Sequence, residues 1–242
     1  MNYFTYNGTS SANMGIRIQS KNVYSAPKYD TTSLAVPGRD GDLIVQGGRF
    51  PNVSVSYTCF VPASNIQELA DKLTAIKGWL YSEPNKYHSL TDTYDTKFTR
   101  RAVFNNKLDI TEQCMKIGIF TITFSCYPFK FSLFGQQKLT FTDTFRVTNP
   151  YMFNAKPYLK VNGTGSGTLT IQASGYNKTW NFSNLNGYTE VDSEQMNFYH
   201  GTTLKNDTVS GDGFPELYPG DNVISFTGGI QSVEIISRWR TL

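Results

Sequence analysis

Only one stretch of this chain repeats its apolar residues at a helical spacing, and that scarcity limits the fold more than any motif does. In Ser64 to Ser82, SNIQELADKLTAIKGWLYS, the residues Ile66, Leu69, Ala70, Leu73, Ile76, Trp79 and Leu80 share one helical face. Ser64 followed by Gln67 reads as a capping box, and Pro84 ends the pattern. A lone amphipathic helix must lay its stripe on something apolar, most simply a sheet. The flanking sequence supplies one. Val53, Val55, Tyr57, Cys59 and Val61 alternate with Ser54, Ser56, Thr58 and Phe60, the period-2 pattern of a strand with one buried face. KIGIFTITFSC, Lys116 to Cys126, puts Phe120, Ile122, Phe124 and Cys126 on one side. Lys97 to Phe104 reads as a further strand, leading through the turn signal Asn105-Asn106 towards Leu108 and Ile110.

From Gly135 onward no helical period persists, and Gly, Asn, Ser and Thr dominate. Short strands are expected at Tyr158–Val161, Thr168–Ala173, Thr179–Phe182, Gly187–Val191, Met196–Tyr199, Val223–Phe226 and Ser232–Ser237, at sandwich-like spacing. Asn162-Gly163, Ser174-Gly175, Asn186-Gly187 and Pro219-Gly220-Asp221 read as turns between them. The reading is therefore an α+β N-terminal domain, 1–135, followed by an all-β sandwich, 136–242, whose last strand is free to pack back on the first domain.

Charged residues make up 17% of the 242-residue chain and aromatics 14%. Surfaces destined for burial between subunits are likewise poor in Lys and Glu and rich in aromatics. The net charge is +3 and no basic run exceeds Arg100-Arg101, so the footprint of a nucleic-acid binder is missing. The N-terminal MNYFTYNGTSSANMG has neither a basic n-region nor an apolar h-region, so no secretory signal is expected, and no apolar window suggests a membrane span. Cys59 and Cys126 sit in strand-like runs as buried thiols, and Cys114 completes an odd set without CxxC spacing.

The densest cluster of Gly, Asp and Arg is VPGRDGDLIVQGGRF, Val36 to Phe50. It is neither GxGxxG nor GxxxxGK[ST], and no helix follows to aim amides at an anion. Asp40 and Asp42 are too few to hold calcium. Asp40-Gly41 is a strong hairpin signal, and Gly47-Gly48 adds a flexible or bulged point beyond Leu43-Ile44-Val45. A projecting hairpin, about 36–61, is expected, with Gly38, Arg39, Asp40, Gly41, Asp42, Gly47, Gly48 and Arg49 chosen for shape.

No catalytic residue, metal site or cofactor is expected. Only His88 and His200 could serve as bases, and no GxSxG elbow accompanies them. Asp92 and Asp95 in LTDTYDTKF have the residue types of a glycosidase pair, but Asp before Thr in a loop more commonly caps a turn. The aromatics Tyr176, Trp180 and Tyr188 suggest an alternative role, a platform for host cell-wall saccharide.

Taken in order along nearly the whole length, these segments resemble the distal tail protein (Dit) family of siphophages and prophages of Gram-positive bacteria. MNYFTYNGTSSANMGIRI is similar to the family's opening strand and its Gly-Ile step at Gly15-Ile16. VPGRDGDLI is similar to its Gly-Arg-Asp-Gly hairpin, and IKGWL, Ile76 to Leu80, to the end of its single helix. LTDTYDTKFTRRAVF and IGIFTITFSCYPF follow, then GFPELYPGDNVISF and the closing SRWRTL. The resemblance implies a six-fold ring formed through the N-terminal domain, with the hairpin residues Gly38 to Asp42 and Gly47 to Arg49 at the interface between subunits and rings able to stack, and a C-terminal sandwich of galectin-like topology decorating it. It implies a structural hub in the virion baseplate, made in the host cytoplasm. Its implied partners are further copies of itself, tail tube and tape-measure proteins, a tail-associated lysin or fibre protein, and receptor-binding proteins. DNA would be only passing cargo, and no membrane insertion is implied.

Overall fold

The computed structural model describes residues 2–242; Met1, the first residue of the opening motif, lies outside them. Two compact units divide the chain, one of residues 1–130 with Leu242, the other Phe131–Thr241.

In the first unit, Val53–Pro62 and Ile117–Cys126 pair antiparallel over ten residues, from Ile117 opposite Pro62 to Cys126 opposite Val53. Around this ladder the strand order is Thr9–Ser10, Phe4–Tyr6, His88–Asp92, Phe98–Val103, Ile117–Cys126, Val53–Pro62 and Arg17–Asn22, while Ile110–Gln113 pairs with the start of Ile117–Cys126. The alternation settles which face is buried. Val55, Tyr57, Cys59 and Val61 meet Phe120, Ile122, Phe124 and Cys126 in one core with Phe4 and Tyr6. Ring centroids 4.6 Å apart for Phe4–Tyr57 and 4.7 Å for Tyr6–Phe124 add about 0.5–1.5 kcal/mol per pair beyond area burial.

The helix runs Ile66–Leu80, inside the expected 64–82. Its N-cap is Asn65, not Ser64: Asn65 Oδ1 accepts from the Glu68 amide at 2.9 Å, and the Glu68 carboxylate reaches back to the Ser64 amide at 2.7 Å. The box is thus built one residue later than SxxQ implies, because an ionised Glu accepts an amide better than Gln does and suits the positive end of the helix dipole. Leu69, Ile76 and Leu80 are fully buried, whereas Ile66 and Ala70 stay at the surface. Gly118 admits the stripe: a Cβ there would lie 3.3 Å from both Leu69 and Leu73.

The second unit corrects the expectation of seven short strands. Three long antiparallel strands, Tyr158–Ala173, Tyr176–Asp192 and Gly220–Ile236, run through two of the four places where turns were expected. Only Ser174-Gly175 makes a hairpin loop, with Ala173 opposite Tyr176 and Gly175 at φ +71°. Asn162-Gly163 and Asn186-Gly187 instead lie mid-strand, with Gly163 facing Gly187 where the ladder to Gly220–Ile236 shifts register. Gly163 and its neighbour Gly229 serve close approach, whereas Gly187 supplies a left-handed φ of +87°. A Cβ on Gly163 would sit 2.1 Å from the Gly229 carbonyl oxygen, and one on Gly229 1.8 Å from that of Thr164. Both halves of these strands feed one core: Leu159 and Val161 before the irregularity, Leu169 and Ile171 beyond it, all with Trp180, Ile224 and Val233. A single sheet thereby encloses its own core.

Expected boundary and compact units differ by five residues. Phe131 and Ser132 belong with the second unit because the Ser132 amide donates to the Trp239 carbonyl at 2.9 Å and Gly135 packs against Trp239.

Candidate functional site

The GRDG stretch forms the end of a two-stranded arm. Thr31–Leu34 pairs antiparallel with Leu43–Gln46, from Thr31 opposite Gln46 to Leu34 opposite Leu43, and among the described residues neither strand pairs with any other. The hairpin is therefore 31–46, not 36–61. The strand that follows, Val53–Pro62, belongs to the main sheet. The reversal is also wider than a two-residue Asp40-Gly41 turn, because the whole segment between Leu34 and Leu43 forms the loop. Gly38 at φ +79° and Gly41 at φ +76° bend it, and Arg39, Asp40 and Asp42 lie exposed around them.

Gly47, Gly48 and Arg49 lie at the base of the arm. There the Gly47 amide donates to the Asp30 carbonyl at 2.7 Å, and the Asp30 amide to the Arg49 carbonyl at 3.0 Å. Arg49 Nε closes the neck on Asp30 Oδ2 at 3.1 Å. A side chain on Gly47 would meet the Asp30 carboxyl at 2.7 Å, so a glycine lets this neck close. Beneath it, Tyr29 packs edge-on against Phe50, and Phe50 against Phe129, which roots the arm in the first unit.

What the arm carries is apolar and wet. Leu34 is 53% exposed, Leu43 40%, Ile44 64% and Val45 49%. A free two-stranded hairpin is marginal in water, and both of its edges offer unpaired amides and carbonyls. Such an element gains stability only when something lies against it.

The other sequence candidates lead elsewhere. Asp92 is buried and accepts from the Tyr57 hydroxyl at 2.7 Å and from the Tyr94 and Asp95 amides at 2.9 Å each. Burial first, then the Asp92 charge, drives the Tyr57 phenol well above its ordinary pKa, so it stays a donor. Asp95 pairs with Lys130 Nζ at 2.9 Å. Asp92 shapes its turn and Asp95 holds a lysine.

Of the proposed saccharide platform, Trp180 and Tyr176 lie in the core. The Trp180 indole is fully buried and donates to the Gly213 carbonyl at 2.8 Å, while Tyr176 packs at a tilt against Tyr218 with centroids 4.4 Å apart. Their even spacing with Phe182 already marks one buried strand face. Tyr188 falls on the outer face, stacked on His200 at 4.1 Å with Lys160 Nζ 4.1 Å from its ring centroid. Three aromatics on one surface is therefore not what the chain builds. Among the described residues no cluster of His, Cys, Asp and Glu is suited to a metal ion.

A helix-bearing β unit with a two-stranded arm, followed by a unit of three long strands, is a fold also found among solved phage proteins. The solved structure of SPP1 Dit (gp 19.1), described as a paradigm of the hub adsorption apparatus in Gram-positive infecting phages, matches with a TM-score of 0.78 at 13% identity, over 100% of both chains. A chain of the phage p2 baseplate in its activated conformation with Sr matches with a TM-score of 0.50 at 8% identity, over 100% of this chain and 98% of that one. No family profile and no curated protein matches the sequence. The resemblance to the distal tail protein family read from the motifs thus holds at the level of the fold, along the full length.

Proposed function

We propose that this protein is a structural hub of a bacteriophage tail tip, a ring of six copies in the baseplate, and not an enzyme. The observation that carries the reading is the full-length likeness to SPP1 Dit at a TM-score of 0.78. The arm supplies the means of assembly. Each subunit offers its apolar strands to the next, a heterologous contact that closes into a ring when the rotation allows. Extended strands laid on a neighbour add main-chain hydrogen bonds, and side-chain pockets fix their register. Full burial of a Leu, Ile or Val is worth about 1.5–3 kcal/mol, so covering the half-exposed Leu34, Leu43, Ile44 and Val45 contributes roughly 4 kcal/mol per arm.

In this role the ring joins tail tube and tape-measure proteins to a lysin or fibre protein and to receptor-binding proteins, and the second unit decorates it as a galectin-like sandwich. The test is size-exclusion chromatography with multi-angle light scattering of the purified chain. The expected species is about 163 kDa for six copies of 27.2 kDa, reduced to monomer by Ile44→Asp without loss of fold. A wild-type monomer at tens of micromolar, or an unchanged ring in the variant, would refute the arm's role.

A further inference from the structure

The outer face of the second unit carries a small polar pocket that the ring does not need, and we propose that it binds a single sugar unit bearing one negative charge. A β-bulge creates it. Gly165 lies opposite Leu185 and Gly167 opposite Phe182, so the strand Tyr176–Asp192 carries one residue more than its partner across this step. Asn184 sits in that step at φ +60°. The extra residue flips the alternation: Tyr176, Trp180 and Phe182 are buried before it, Leu185, Thr189 and Val191 after it. Asn186 and Tyr188 are thereby turned outward. The short strands Asn197–His200 and Thr203–Leu204 fold alongside and bring His200, Thr203 and Lys205 to the same hollow, whose volume is about 140 Å³.

The lining defines the ligand. Asn184 and Asn186 amides and the Tyr188 and Thr203 hydroxyls each donate and accept, which is what a cluster of sugar hydroxyls requires. His200 Nδ1 lies 2.8 Å from the Tyr188 carbonyl, which can only accept, so Nδ1 carries the proton and Nε2 remains as an acceptor in the neutral ring. Lys205 is in no salt bridge among the described residues, and no carboxylate lines the pocket, so the ligand's charge is negative. Both faces of the Tyr188 ring are taken by His200 and Lys160, so recognition is by hydrogen bonds rather than by stacking. Drug-sized sites span about 300–1,000 Å³, and this one accommodates a single sugar ring.

The test is saturation-transfer NMR on the purified full chain with glucuronic acid, galacturonic acid, glucose 1-phosphate, glucose and inorganic phosphate. At least one acidic sugar is expected to bind at millimolar concentration and its neutral parent about tenfold more weakly, the equivalent of about 1.4 kcal/mol for one charge-assisted hydrogen bond. Asn186→Ala and Lys205→Ala, both outside the core and checked by unchanged melting, should each reduce the signal about tenfold. Silence from every acidic sugar overturns the proposal. So does phosphate binding as tightly as the sugars, which would define a bare-anion site, or full binding in both variants. The result stands apart from ring formation, which light scattering on the same samples reads separately.

Discussion

Replacing Gly163 by alanine tests how the second unit is built. The new Cβ would start 2.1 Å from the carbonyl oxygen of Gly229 on the neighbouring strand. Carbon and carbonyl oxygen settle near about 3.3 Å, so the two backbones must part by about 1 Å where the ladder between them changes register. Overpacking of this kind costs about 1–3 kcal/mol. Weakening one adjacent ladder hydrogen bond adds about 1 kcal/mol, for a total of about 2–4 kcal/mol. With a urea dependence of about 2 kcal/mol/M, the unfolding midpoint falls by about 1–2 M. Trp180 and Trp239 are buried in this unit, so tryptophan fluorescence reports its melting. Gly187→Ala is the informative control. Nothing lies within 4 Å of its Cβ, and the only penalty is the left-handed φ of +87°, about 1–2 kcal/mol. Gly163→Ala should be the more damaging of the two. If it melts with wild type, or if Gly187→Ala is the worse, then close approach of strands is not why a glycine stands at position 163.

The remaining expectations are smaller. Arg238, at φ +53°, binds Asp192 through two bonds of 2.7 and 3.0 Å; Arg238→Ala leaves a buried carboxylate and should cost about 3 kcal/mol in urea melts. Burial pushes the Asp192 carboxyl up, but its bonds to Arg238 and to the Glu194 and Gln195 amides outweigh this and hold its pKa below the ordinary 3.8. The stability this gives is complete above the ordinary carboxylate range and is lost as the pH falls below about 4, so Asp192→Asn should flatten the acid limb of a stability–pH curve. Asn65→Ala removes the helix cap and should lower stability by about 1 kcal/mol by the same measurement. Burial pushes the Cys59 and Cys126 thiols up to about 12, so a thiol reagent at pH 8 should titrate Cys114 alone in the native protein and all three in denaturant.

The helix, the Val53–Val61 face and the Phe120–Cys126 face were legible because each buries one side, and burial imposes a period on the sequence. Thr31–Leu34 escaped notice for the opposite reason. Both faces of an arm in water are free to be anything, and TTSL carries no alternation. Asn-Gly pairs were read as turns because φ > 0 and close backbone approach demand the same residue, and only the position of the partner strand separates them. The single-residue bulge near Asn184 was hidden likewise. It moved Tyr188 to the outside while Trp180, on the same parity, stayed in the core. Proximity of Asn186, His200 and Lys205 depends on strand pairing across a loop, which local spacing does not encode.

The arm has a consequence for the chain on its own. Leu43-Ile44-Val45 is an exposed aliphatic run, two of its three residues β-branched, on an open edge, the composition that seeds uncontrolled strand stacking. It is short, and it is fenced: Arg39, Asp40 and Asp42 stand before it, Gly47, Gly48 and Arg49 after it. Flanking charge and glycine of this kind act as gatekeepers, making extended aggregation unfavourable while leaving one specific docking permitted. Neutralising Arg39, Asp40 and Asp42 together should therefore spare the fold yet turn a soluble preparation turbid, a liability that docking of the arm, as proposed above, would remove.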